Sequence, residues 1–413
     1  AGSLSAYCSL QGEYSPIHES SMVAVESALL AVKRRITVEG IAYGLTSIAA
    51  GGFLAFAFTL ITLRWSLLFA AAVVASGLYL TILLGGSALY SQYPLILPTT
   101  LCGIGVGALA LAHGWHRHPL GFASTAALLG VWAGFLGNLR TSHYPTALLI
   151  AVLFIAFAIF EQRHAAGVSR RLLTASAGGA VVALAVGVLA FDRVWIAPIR
   201  AAVGSNYSYH VIAHPLVLGL ATPPNALASR EDIQWNDRSG VVAARKVDPS
   251  VEYLGPGYER ALFVYYLRLW KNSPIEMIQI YLRKLTVTRQ HAEEFLSSAK
   301  PGLFWAQKDG RWLTIAAWPA LRIAGVVGVS GLFAALLVIG CVRPRALDLD
   351  YPRGFCVAGV AIAGFLGFVE SAVVLSGVVL WYSSVYVFAL IFAGLFVYQS
   401  AVDACARPFM TAR

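Results

Sequence analysis

The chain has 413 residues, of which 58% are hydrophobic and only 12% charged, and its mean hydropathy is +0.70. Soluble domains sit near a quarter charged, so a water-soluble fold of this length is excluded. Helices in lipid can carry such a composition, because each satisfies its own backbone while facing acyl chains. The net charge of +10 does not point to nucleic acid, since the basic residues are scattered instead of concentrated on one face.

Residues 1–40 form a first polar segment, with Glu13, His18, Glu19 and Glu26 ahead of Lys33-Arg34-Arg35. Apolar runs follow at 41–63, 65–84, 94–112, 120–137, 145–160 and 172–190, and again at 323–341, 355–380 and 383–402. Each is long enough to cross or nearly cross a bilayer. The expected fold is therefore an all-α polytopic membrane protein with about nine transmembrane helices and a mainly helical extracytoplasmic domain. Its units are residues 1–40 outside, about six spans over 41–190, the domain over 191–311, an interfacial helix at 312–322, about three spans over 323–402, and a cytoplasmic tail at 403–413. Gly51-Gly52, Gly103, Gly105, Gly107 and Gly178-Gly179 are expected to let helices approach closely.

Orientation comes from the short loops. Arg117, then Arg163, Arg170 and Arg171, then Arg343, Arg345 and Arg353, and finally Arg407 and Arg413 share one side if spans alternate. The positive-inside rule makes that side cytoplasmic. An outside start with nine spans implies one further span before Ala1. Of the five cysteines, Cys8 alone falls clearly outside in this topology, so no disulfide framework is expected.

Within the polar block, Gly257 to Lys271 is amphipathic, with Leu262, Tyr265, Tyr266 and Leu269 on one face. Ser273-Pro274 reads as a helix start, opening a helix to about residue 297 that should bury Ile275, Ile278, Tyr281, Leu282 and Leu285.

The informative polar groups lie at the outer face. Arg140 and His143 stand in Asn138-Leu139-Arg140-Thr141-Ser142-His143-Tyr144-Pro145, Tyr93 closes another outer loop, and Glu370 lies in the outer third of a span. Ionisable groups are costly near lipid, so several on one face suggest a polar cavity. An arginine can grip a lipid phosphate with two prongs, and a carboxylate can take a proton from a hydroxyl. Each also has a plainer reading: a snorkelling Arg140, a structural pair for Glu370, and a helix-start carboxylate for Glu19. His210 and His214 stand four apart, but no third ligand has matching spacing, so no metal site is assigned.

The order of parts resembles the glycosyltransferase C superfamily, bacterial integral-membrane enzymes that use polyprenyl-phosphate sugars. The resemblance rests on Gly134-Phe135-Leu136-Gly137-Asn138-Leu139-Arg140-Thr141, His214-Pro215-Leu216-Val217-Leu218-Gly219-Leu220 and Ile233-Gln234-Trp235-Asn236-Asp237. It continues through Val247-Asp248-Pro249, Tyr258-Glu259-Arg260-Ala261-Leu262 and the helix from Asn272-Ser273-Pro274 to Lys284.

That resemblance implies an acidic residue essential for transfer in the first outer loop, where Glu19 after His18 is the best match and Glu13 the next. Arg140 and His143 would bind the donor phosphate, with His18, Tyr93 and Glu370 lining the pocket. Glu19 would act as a base or as a ligand of a divalent cation (Mg or Mn). The partners implied are a polyprenyl-phosphate-linked sugar, the lipid bilayer and an envelope acceptor, at the bacterial inner membrane. Two other classes compete. A flippase for a lipid-linked precursor would show paired internal repeats, and a non-catalytic envelope scaffold would have a filled, apolar outer face.

Overall fold

The computed structural model describes residues 38–85, 93–164, 170–198, 212–253, 255–298, 350–370 and 384–410, together with Val25. Among these residues every regular element is a helix. The first six are α1 (Val38–Thr62), α2 (Leu67–Gly85), α3 (Tyr93–Ala112), α4 (Pro119–Leu139), α5 (Tyr144–His164) and α6 (Arg170–Phe191, continued by a π turn over Asp192–Ile196). Short helices α7 (Ala213–Leu218), α8 (Ala226–Glu231) and α9 (Asp237–Arg245) come next. They are followed by α10 (Tyr258–Asn272), α11 (Pro274–Ser298), α12 (Tyr351–Val369) and α13 (Ser384–Met410).

The chain is a multi-pass helical membrane protein. Among the described residues, six helices contain stretches long and apolar enough to cross a bilayer: Gly44–Thr62, Pro94–Ala112, Pro119–Leu139, Tyr144–His164, Leu173–Ile196 and Tyr351–Val369. Leu67–Thr81 and Ser384–Ser400 are shorter apolar helices at two further expected spans. The ninth expected span, 323–341, and the interfacial helix at 312–322 lie outside the described residues. Leu54, Phe58, Leu67, Val182 and Leu189 are more than half exposed, as suits side chains whose solvent is lipid.

Aromatic packing and small residues hold the bundle. Trp65 and Phe69 of the α1–α2 region, 4.3 Å apart, meet Phe392 and Phe396 of α13 with ring centroids 5.5–5.9 Å apart. Among the described helices, α4 and α6 approach closely. There Gly130 and Gly187 face each other's backbones, and a β-carbon on either would overlap the carbonyl oxygen of Leu184 or Ala127. This is close packing through small residues, but it uses glycines other than those expected. Gly51, Gly178 and Gly179 have no atom within 4 Å of a built β-carbon, whereas Gly52, Gly103, Gly105 and Gly107 do sit against neighbouring helices.

The bundle has two distinct ends. At one, Arg353 of α12 donates from Nε to the Leu63 carbonyl (2.7 Å) and from Nη2 to the Arg64 carbonyl (3.2 Å), so a cation caps the end of α1. Arg117 follows α3, Arg163 is in the last turn of α5 and Arg170 opens α6, so these arginines share that end. At the other end lie the α4–α5 turn, the C-terminus of α12 and the π turn after α6.

Residues 212–298 fold around a core of their own, in which Val217, Leu220, Leu227, Ala244, Tyr258, Leu262 and Met277 are almost wholly buried. Asn225 caps α8 by accepting from the Ala228 N–H, and Asn236 caps α9 by accepting from Ser239 N–H. Helix α10 buries Tyr258, Ala261, Leu262, Tyr265 and Leu269, with Tyr266 half-buried, close to the expected face.

Helix α11 corrects the sequence reading. It buries Met277, Ile280 and Lys284, with Tyr281 half-buried, whereas Ile275, Ile278, Leu282 and Leu285 are 70, 49, 58 and 39% exposed. The aromatic contacts choose the face. Tyr281 stacks on Trp270 of α10 (5.8 Å, 6° between planes), and its hydroxyl meets that of Tyr266 at 2.5 Å. Such a pair buries a large ring and satisfies its polar tip together. Arg230 then grips Glu276 with two contacts (2.7 and 3.2 Å), tying α8 to the first turn of α11.

Candidate functional site

Three of the residues expected at the site come together at the second end of the bundle. Arg140 is the C-cap of α4, with extended backbone and its N–H donating to the Leu136 carbonyl, a position where a cation meets the negative end of the helix. The next residues, Thr141–His143, turn once as a 3₁₀ helix before α5 begins at Tyr144. That turn points Arg140, Ser142 and His143 at Glu370, which directly follows α12.

Arg140 Nε stands 3.7 Å from Glu370 Oε1, and His143 Nδ1 stands 3.5 Å from Oε2. The Ser142 hydroxyl donates to Oε1. Glu370 is 5% and His143 1% exposed, so this is a carboxylate out of water, compensated by a guanidinium, a hydroxyl and an imidazole. An unpaired acid at such a depth would cost several kcal/mol. Burial pushes the His143 imidazole below its usual value, against the pull of Glu370 and with the help of Arg140. A neutral ring donates from one nitrogen and accepts at the other. His143 Nε2 is buried and has no hydrogen-bond partner among the described residues.

Sequence reading missed two members of this region. In the sequence Ser142 is only part of a loop, but its hydroxyl completes the shell of Glu370. Asp192, which the sequence places in the polar block, is half-buried at the end of α6. It belongs to this end because Phe191 packs on Gly134 of α4. No local pattern marks either residue, since both depend on which helix ends meet.

The other expected residues are not brought to the site by anything described. Glu13, His18 and Glu19 lie outside the described residues, as does His210. Tyr93 opens α3, and its side chain also lies outside. A divalent cation has no evident seat beside Glu370, whose oxygens already face two basic side chains. Among the described residues, no three His, Cys, Asp or Glu side chains converge as metal ligands.

Two further ionic clusters are structural in character. At the first end, His116 Nε2 is 3.1 Å and Arg117 Nη2 is 2.7 Å from the Glu161 carboxylate, while Gln162 donates to the His116 carbonyl. These contacts pin the α3–α4 turn to α5, and burial lowers the His116 imidazole. In the 212–298 domain, His214 Nδ1 lies 2.8 Å from the Tyr258 hydroxyl and Nε2 lies 3.2 Å from Asp237. Tyr258 is fully buried and His214 nearly so, leaving no reactant access to the phenol. Burial, with Asp237 and Glu259 nearby, raises the Tyr258 phenol above its usual value.

No known protein-family model, curated protein or solved structure matches this chain.

Proposed function

We propose that the chain is a membrane glycosyltransferase of the polyprenyl-phosphate-dependent kind, acting at the extracytoplasmic face on an envelope glycan, lipid or protein. The observation that carries this reading is the Arg140–Ser142–His143–Glu370 cluster. It gathers cationic and hydrogen-bonding groups at one end of a transmembrane bundle. Glu370 holds the guanidinium of Arg140, so the cation is oriented before any ligand arrives.

In the proposed reaction, the bond between the anomeric carbon and the donor phosphate oxygen breaks, and the acceptor hydroxyl oxygen bonds to that carbon. The acceptor proton passes to a base, for which Glu19 is the candidate. The charge left on the polyprenyl phosphate is met by Arg140, with His143 Nε2 available for a further hydrogen bond. The 212–298 domain would select the acceptor. It can reach the site, because α6 ends there and the 13 residues 199–211 span at most ~45 Å.

The test is sugar transfer in membranes from a synthetic polyprenyl-phosphate sugar. Arg140→Ala is expected to lower the rate on the order of a hundredfold, with Arg140→Lys less damaging, because the two-pronged grip is lost but the charge stays. Glu19→Ala should also lose transfer. Wild-type rates in Arg140→Ala and Glu19→Ala, at matched protein levels, would refute the assignment.

A further inference from the structure

Helix α11 is built the wrong way round for water. Lys284 is 0% exposed, while Ile275, Ile278, Leu282 and Leu285 stand out at spacings of three, four and three residues. Those spacings put all four on one stripe. A stripe of this length on a well-packed domain needs a cover.

Three observations say which. Firstly, the charge beside the stripe is positive: Arg283, next to Leu282 on α11, is exposed. The sequence carries no acidic residue between Glu276 and Glu293, and Glu276 is engaged by Arg230. Secondly, the stripe lacks what a partner helix would read. The positions that flank the seam of a coiled coil usually carry paired charges, and here they hold Gln279, Tyr281 and Thr286. Thirdly, the domain is tethered to the bilayer by the short segment after α6, so lipid is always within its reach.

We infer that the exposed stripe of α11 docks on the anionic headgroup layer of the same membrane. The aliphatic side chains enter the headgroup–acyl boundary, and Arg283 meets a lipid phosphate. The fold supports this by turning the aromatics and Lys284 inward. The inference is independent of the glycosyltransferase reading, since a transporter or scaffold could be held to lipid in the same way.

The experiment uses the full chain reconstituted in nanodiscs containing phosphatidylglycerol, with an environment-sensitive fluorescent amino acid replacing Leu282 or, as control, the exposed Ser250. Lipids brominated near the headgroup are expected to quench the probe at 282 at least about twofold more than at 250. Adding Arg283→Glu, or using phosphatidylcholine alone, should reduce that difference. Equal quenching at both positions would overturn the inference. So would a probe at 282 that is shielded from bromolipid because a second copy crosslinks there.

Discussion

Replacing Lys284 by methionine is expected to stabilise the 212–298 domain and remove most of its pH dependence above neutrality. The lysine is fully buried, with Nζ 5.3 Å from the centroid of the Tyr281 ring. Ring attraction favours the charged form, but burial prevails and lowers the ammonium from its ordinary 10.5 to about 7. A displacement of that size corresponds to ~5 kcal/mol between the protonation states, an upper figure because buried sites relax and admit water.

The sign is that of a depressed base. Between pH 7 and 10.5 the unfolded chain holds a proton that the folded domain has released, so stability rises with pH through this window. Below the window both states are protonated and the difference no longer changes with pH. Methionine keeps the length and drops the charge, so a gain of ~2–4 kcal/mol near pH 6 should shrink to under ~1 kcal/mol near pH 10. Native-state hydrogen exchange at α10 and α11 amides, corrected for intrinsic rates and run on the full chain in nanodiscs, reads this directly. A variant less stable at every pH, or a wild type that loosens between pH 7 and 9, would show the reasoning to be wrong.

Two further substitutions separate close packing from mere composition. Gly187→Leu should push α4 and α6 apart and leave little monodisperse protein on size-exclusion in detergent. Gly178→Leu on the same helix should behave as wild type, because nothing lies within 4 Å of its β-carbon. In the domain, Gly240→Ala would put a methyl 2.5 Å from the Tyr258 hydroxyl and 3.0 Å from His214 Cε1. A loss of ~1–3 kcal/mol is expected from the overpacking, against ~1 kcal/mol for Tyr258→Phe. Limited proteolysis between α9 and α10 would rank the two.

The candidate site was half legible. Arg140 and His143 could be singled out because a cation and an imidazole at the end of an apolar run have few cheap environments. Glu370 stood out for the same reason inside a span. Their mutual contact was not readable, since more than 220 residues separate His143 from Glu370 and no local rule says which helix ends meet. Ser142 and Asp192 carry no such cost on their own, and only their neighbours give them a role.

Lipid is what made the architecture readable. A backbone inside a bilayer must satisfy itself, so runs of about 20 apolar residues announce helices. Positive charge then sorts their ends, and Arg117, Arg163, Arg170 and Arg353 do share one. Outside the bilayer that constraint lapses. In α11 two stripes, about a third of a turn apart, were both apolar enough to be buried. The stack of Tyr281 on Trp270 and the pairing of its hydroxyl with Tyr266 decided between them, sending Lys284 inward and four aliphatic side chains outward. Likewise, composition showed that small residues were plentiful, but only the meeting of α4 and α6 decided that Gly130 and Gly187 were the indispensable ones. Hydrophobicity along one segment is a local property, whereas the choice of partner face depends on shapes contributed by distant parts of the chain.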